Sequence, residues 1–555
     1  MKSRSIAGVA AVGAIGALAL VGAVESGAQA DGGGSRGGPA PAGSPRLTSV
    51  PANAKVAGMS SPDVLSPGLA LQVAAQGSDK LENGTANLPF YGYRGDGPML
   101  PAPGDLPTAT HKVEAGKTEP DKNTYLVLKG QHGADPNYNY GTHFVFQGHE
   151  GSGDGELTRI NLDADAAHRV TLLATATTDG KALPPFDGST WDPWAKRLLL
   201  TAENGANGGV YQSTLAVGAQ VEDISAATGR AGYEGVQNDS AGNVWLVEDT
   251  GGATIAGDKA KLPNSFVYRF LPVAKGDLKH GKLQALQVIS RRTGQPIAFQ
   301  PIDAAHPTGN TFSDDTKDLH TYGLSFSTRW VTVHDTATDT SGNAFDANAL
   351  AKAAKATPFK RPENGQFRPG THFGEFWFEE TGDTNADSTA NNGFGGWGAV
   401  LKLTQSGPTA DTGRLSLVYN GDKAHTGLDN ITFIDANHVA YVEDAGDGLH
   451  TQRGLLDSGY LFDVHADYAH GAQPVRFLAE GRDPSATIDS AFSGMTGFQN
   501  DGDNEITGIH MSDGDASEHG ILGAKVPTPF RAGWRLFWTQ QHGDNTTWEI
   551  LPTHH

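Results

Sequence analysis

Four times along this chain a short apolar run ends in a carboxylate and then breaks at glycine. The runs are Leu198-Leu199-Leu200-Thr201-Ala202-Glu203-Asn204-Gly205 and Val244-Trp245-Leu246-Val247-Glu248-Asp249-Thr250-Gly251. Two more follow, Phe376-Trp377-Phe378-Glu379-Glu380-Thr381-Gly382 and Val439-Ala440-Tyr441-Val442-Glu443-Asp444-Ala445-Gly446. A fifth, Leu536-Phe537-Trp538-Thr539-Gln540-Gln541-His542-Gly543, keeps the shape with amides and histidine where the acids stand. Repetition of one strand-end pattern predicts one supersecondary unit used several times around a common centre. Acids at equivalent strand ends then converge, and converging carboxylates repel unless a cation lies among them.

The remaining pattern is short β-type runs separated by Gly, Asp and Asn turns, as in Tyr125-Leu126-Val127-Leu128 and Phe266-Val267-Tyr268-Arg269-Phe270. Helix is expected only around residues 348–355, where Ala, Leu and Lys dominate. Glu203 and Glu248 are 45 residues apart, close to the roughly 40–45 residues of a four-stranded propeller blade. Longer gaps must hold another blade or an insertion. The expected architecture is all-β, a six-bladed β-propeller with insertions. A pair of stacked sandwiches is the alternative, but it does not place acids at matching strand ends.

Residues 1–30 read as a signal peptide: Lys2 and Arg4, an apolar run, then Ala28-Gln29-Ala30, with cleavage expected after Ala30 and the protein secreted. Residues 31–87, rich in Gly, Pro and Ala, read as a flexible segment, and 88–555 as the propeller domain. The formal charge of −21 argues against nucleic acid or an anionic membrane as a partner and suits divalent cations. With no cysteine in the chain, thiolate zinc sites, thiol catalysis and iron–sulfur chemistry are excluded.

Three acids stand at the entry to predicted inner strands: Glu234 in Gly232-Tyr233-Glu234-Gly235-Val236, Asp429 before Asn430-Ile431, and Glu505 in Asn504-Glu505-Ile506-Thr507-Gly508. In register, they would share a cation in an axial channel. In Arg361-Pro362-Glu363 the proline sets cation and carboxylate in extended geometry, so that the carboxylate can ligate while the guanidinium clamps a phosphate oxygen. Asp383-Thr384-Asn385-Ala386-Asp387 has the first half of a calcium loop but lacks its glycine and distal glutamate, and an Asx-rich turn explains it equally. Neither His-Glu-x-x-His nor Gly-x-Ser-x-Gly occurs, which leaves zinc-protease and serine-hydrolase chemistry unsupported. Residues 308–360 interrupt the rhythm and are the expected lid over the channel mouth.

In order along the chain, these segments resemble the PhoX-type secreted alkaline phosphatase family and its uncharacterised propeller relatives. The resemblance lies in Ser189-Thr190-Trp191 through Asn204, Gly229 through Val236, Val247-Glu248-Asp249 and Val267 through Pro272. It continues in Arg361-Pro362-Glu363, Leu428-Asp429-Asn430, Asn504 through Gly508 and Gln541-His542. It implies a six-bladed propeller whose axial iron–calcium site hydrolyses phosphate monoesters. By matching position it implies Glu203, Glu234, Glu363, Asp429 and Glu505 as metal ligands and Arg361 as the phosphate clamp. Ala202 stands where the family's iron-binding cysteine would fall, so calcium carries over while iron stays open without that ligand. The expected partner is a small phosphorylated substrate, with no nucleic acid or membrane, and the expected state is a monomer. Two other readings stay open: a non-catalytic, calcium-stabilised binding module, and a calcium-dependent propeller hydrolase acting on lactones or sugar esters.

Overall fold

Apolar and β-branched runs that reverse at Gly, Asp and Asn turns fold as antiparallel meanders, each strand pairing with the next in sequence. The computed structural model describes residues 47–56, 61–97, 115–151, 155–481 and 505–553. The expected signal peptide lies outside these residues.

One sheet runs through Pro120–Val127, His143–His149, Glu156–Asn161 and Val170–Ala174, and a second through Ser189–Asp192, Arg197–Ala202, Gly209–Ser213 and Val221–Asp223. A nine-stranded sheet consists of two such meanders. Tyr233–Asn238, Val244–Glu248, Val267–Pro272 and Gly281–Val288 form the first half; Pro362–Phe367, Glu375–Glu380, Ala399–Gln405 and Thr412–Asn420 form the second. The strand Ser325–Asp335 pairs with the outer strand of each half and joins them. Next come Leu428–Phe433, His438–Glu443, Ser458–Asp463 and Val475–Ala479, extended at the edge by Val64–Leu65. The last sheet holds Glu505–Ser512, Arg535–Gln541 and Thr546–Pro552, and its outer strand is Leu69–Ala75 from the other end of the chain.

The first strands of these meanders pack side by side in a closed cycle. Pro120–Val127 lies against Ser189–Asp192, then follow Tyr233–Asn238, Pro362–Phe367, Leu428–Phe433 and Glu505–Ser512, which returns to Pro120–Val127. The fold is therefore all-β with a propeller-like arrangement of sheets. Between sheets the core is aromatic. Trp245 meets Trp330 and Phe367 edge-on, with ring centroids 5.1 and 5.0 Å away. Around the axis the strands approach closely, and glycine permits it: a Cβ on Gly188 would sit 2.1 Å from the Glu234 carbonyl oxygen, and one on Gly235 would lie 2.7 Å from that of Glu363.

Three expectations need correction. Residues 31–87 are not a flexible segment throughout, and the ordered domain does not begin at 88. Leu69–Ala75 closes the last sheet, its Leu69, Leu71 and Val73 alternation hidden in an Ala-rich composition. Residues 308–360 form no lid as a whole, because Ser325–Asp335 is an outer sheet strand that buries Phe326 and Trp330. Helix is also not confined to the expected place: Ala347–Ala353 is helical, and so are Ser225–Thr228, Asp314–Leu319 and Gly446–Arg453. Among the described residues no helix is long and apolar enough to cross a membrane.

Candidate metal centre

The repeated strand-end pattern marks the second strand of each meander. These strands end at His149, Ala202, Glu248, Glu380, Glu443 and Gln541, and the next residues are Glu150, Glu203, Asp249, Thr381, Asp444 and His542. Four of those six line one cavity of about 180 Å³. Alternation along each strand separates neighbouring acids. Glu248 turns inward and accepts from Asn348, Thr250, Tyr268 and the Phe266 backbone, while Asp249 faces the cavity. Likewise Glu443 pairs with Arg453 at 2.9 Å, and Asp444 lines the cavity.

The first strands supply a second, deeper set. Each of five carries a break in register near its start, between Pro120 and Asn123, Tyr233 and Val236, Pro362 and Gly365, Leu428 and Asn430, and Ile506 and Gly508. Inside those breaks stand Asp121, Glu234, Glu363, Asp429 and Thr507, and all five line the cavity. A bulge re-aims the side chain it carries, and here it turns each toward the axis. Asp187, just before Ser189–Asp192, completes the set.

Among the described residues, nine carboxylates and one guanidinium, that of Arg361, therefore share this cavity. Asp121, Asp187, Glu234, Asp249, Glu363 and Asp429 are at most 5% exposed, whereas Glu203 is exposed at the mouth. Three triads place an oxygen from each member within 4.8 Å of the others: Glu150–Asp187–Glu203, Glu203–Glu234–Asp249 and Glu234–Glu363–Asp429. Two ionised groups about 5 Å apart repel by roughly 3 kcal/mol at an effective dielectric near 20. Burial first, and then neighbouring acids, push Asp121, Asp187, Glu234 and Asp444 well above the usual carboxylate range. Glu150 is driven up to about 7 by burial and by Glu119. Such a set is either protonated or holds cations. Its donors are all hard oxygens, with no imidazole or thiol among the lining residues, a set that suits a hard cation. Ala202 is fully buried in an apolar cluster with Leu200 and Tyr211.

Arg361 is fixed by Asp249. Its Nε donates to both carboxylate oxygens at 3.1 and 3.0 Å and one Nη donates to Oδ2 at 2.7 Å, while Glu363 lies 3.4 Å away. Burial opposes its charge, but Asp249 and Glu363 outweigh that and raise its pKa. Its φ of 55° before Pro362 is a strained conformation at the cavity edge.

Of the residues singled out in the sequence, Glu203, Glu234, Arg361, Glu363 and Asp429 come together here. Glu505 does not line the cavity: it begins its strand, with His542 Nε2 3.6 Å from Oε2, and Thr507 takes the bulge position. Of the calcium-loop candidate, Asp383 is buried and binds the Lys360 ammonium at 2.7 Å, while Thr384 lines the cavity. Sequence reasoning did not name Asp121, Glu150, Asp187, Asp249 or Asp444 as ligands. One signal was available: Phe144-Val145-Phe146-Gln147-Gly148-His149-Glu150-Gly151 is a sixth copy of the strand-end pattern.

No family model matches the chain, and no curated protein does. Among solved structures it is similar to Pseudomonas fluorescens PhoX in complex with vanadate, a transition-state analogue. The TM-score is 0.50 and the identity 13%, over 91% of this chain and 98% of that one. The likeness is one of fold. A second match, the periplasmic gluconolactonase PpgL of Pseudomonas aeruginosa, covers 78% of this chain and 96% of that one at 12% identity. Its TM-score of 0.27 carries no argument.

Proposed function

We propose that this chain is a six-bladed propeller, distantly related to the PhoX-type phosphatases, and that it is a secreted calcium-dependent hydrolase of phosphate monoesters. The closed cycle of first strands supports the blade count, once the nine-stranded sheet is divided at Ser325–Asp335. The observation that carries the function is a single guanidinium set among nine convergent carboxylates. Glu234, Glu363 and Asp429 would hold one calcium ion, and Glu150, Asp187, Glu203 and Asp249 would serve further ions nearer the mouth. Calcium bound there supplies charge neutralisation for a phosphoryl group.

The chain's own residues do the rest. Asp249 chelates one edge of the Arg361 guanidinium, and Nη1 makes no hydrogen bond to a described residue. That nitrogen is the donor for a non-bridging phosphoryl oxygen. The deep acids exclude a free anion until cations are bound, which ties substrate binding to calcium. The cavity admits a phosphoryl group and leaves most of a larger ester outside, so leaving-group selectivity should be broad.

The test is hydrolysis of an aryl phosphate by purified protein with calcium across pH 6–10, alongside a metal inventory. Hydrolysis that disappears on chelation and returns with calcium supports the reading; several bound calcium ions without hydrolysis overturn it. Asp249's hold on Arg361 favours a second reading, in which the arginine is only a structural counter-charge. The protein would then be a calcium-tied binding module, or a hydrolase of lactones or sugar esters that needs no phosphate clamp. Activity on a lactone that survives Arg361→Ala would select it.

A further inference from the structure

Beneath the carboxylates lies a cation that plays no part in the reading above. Lys122 shares the bulge of Asp121 and is 1% exposed. Its strand, Pro120–Val127, is three places around the cycle from Pro362–Phe367 in either direction. The ammonium nevertheless reaches that opposite strand and donates to Asn364 Oδ1 at 2.7 Å. It thus links opposite strands of the cycle, next to the cavity acid Asp121.

Asn364, fully buried, passes the contact on. Because its Oδ1 faces the ammonium, its Nδ2 must face away, and it donates to Glu234 Oε1 at 3.1 Å. Glu234 is thereby held by the protein through one oxygen and also offers an oxygen to the triad with Glu363 and Asp429. Burial lowers the Lys122 pKa, and the acids facing it, Glu379, Asp429, Glu234 and Asp121, oppose that. Glu379 accepts from the Asn364 backbone N–H at 3.0 Å, and burial, then Asp429, holds it well above the usual carboxylate range.

The charge count follows. Counted by themselves, the three triad carboxylates carry −3 when ionised, and the ammonium tied to Glu234 through Asn364 reduces that group to −2, the charge that one divalent ion cancels. We propose that Lys122 is a specificity-determining residue that sets the valence of the ion held by Glu234, Glu363 and Asp429, favouring divalent over trivalent cations. This inference rests on the reading that the triad holds a cation.

The experiment titrates the chelator-stripped full chain with calcium by calorimetry and with terbium(III) by sensitised luminescence. The binding step lost in Asp429→Asn identifies the triad. In Lys122→Met, which removes the charge at nearly constant volume, the terbium-to-calcium affinity ratio at that step should rise by at least about tenfold. Asn364→Asp, which cancels the ammonium without removing it, should shift the ratio the same way and decides the matter if Lys122→Met does not fold. Lys122→Arg should keep the wild-type ratio. A ratio within about twofold of wild type in a folded Lys122→Met or Asn364→Asp chain would overturn the proposal. Wild-type protein that binds neither ion would instead remove the calcium reading beneath it.

Discussion

Two junctions on opposite sides of the ring share one backbone and carry opposite charge. Glu119-Pro120-Asp121 and Arg361-Pro362-Glu363 each place a left-handed residue (φ 50° and 55°) before a proline, then a bulge bearing a cavity acid. Each left-handed residue meets the residue that follows the second strand of the preceding meander. Arg361 meets Asp249, and Glu119 meets His542. The first pair is chelated at 2.7–3.1 Å; the second is loose, at 3.8 Å, and His542 is shared with Glu505. The fold thus supplies the position twice, and side-chain identity alone decides which copy presents a cation. A strained backbone is therefore not sufficient evidence of a catalytic residue, because Glu119 has the same one.

The largest effect that would sharpen this contrast is on turnover. Arg361→Ala should lower kcat/KM for an aryl phosphate by on the order of 10²–10³, the usual cost of one preorganised donor, with calcium content unchanged. Glu119→Ala should change it less than about tenfold. Equal losses in steady-state kinetics would erase the distinction between the junctions.

Next in size is calcium's effect on stability. Asp121 and Glu363, the bulge acids of the two junctions, have folded pKa values raised first by burial and then by neighbouring acids. Their contribution is fully present below the unfolded carboxylate range and is lost as pH rises through the raised values. Chelator-treated protein should therefore lose stability from pH 5 to pH 8. Calcium should remove that loss. Denaturant melts at both pH values, with calcium and with chelator, provide the check; parallel behaviour with and without calcium would break the comparison at its base.

Glu119→Gln should act more weakly and with the same sign. Burial raises the Glu119 pKa, while His542 partly opposes it, so the wild-type side chain loses stabilisation as pH rises past the carboxylate range. The glutamine chain should gain relative to wild type at pH 8 compared with pH 4 in urea melts. The smallest change is expected for Pro120→Ala and Pro362→Ala. Each frees the unfolded chain, at a cost of about 0.4–1 kcal/mol, but relaxes the strained residue before it, so the net shift should stay below about 1 kcal/mol at both junctions. A loss confined to Pro362 in equilibrium unfolding would show that only the arginine's strain is functional.

How much of this was legible depended on the kind of signal. The second strands announced themselves, because an apolar run that ends in acid and glycine is local. Glu203 could be named from it, but the choice between Glu248 and Asp249 could not. Glu248 fits the pattern equally well and is spent on Asn348, Thr250 and Tyr268, because pleat alternation turns it the other way. Glu505 failed for a related reason. The break in register in its strand moves the axial position two residues on, to Thr507, and a bulge leaves no mark in hydrophobic periodicity. Leu69–Ala75 went unread because its partner, Thr546–Pro552, lies more than 400 residues away in the chain.

Composition and repetition alone determined an all-β chain, a strand-end acid used several times over, and the absence of thiol chemistry. Those properties rest on near-neighbour residues and on counting. Tertiary structure alone decided which acid of each adjacent pair faces the axis, that Arg361 is held by Asp249, and that Lys122 crosses the ring to Asn364. Bulge register and ring closure fix those contacts, and both are set by strands that are distant in sequence and adjacent only once the cycle has closed.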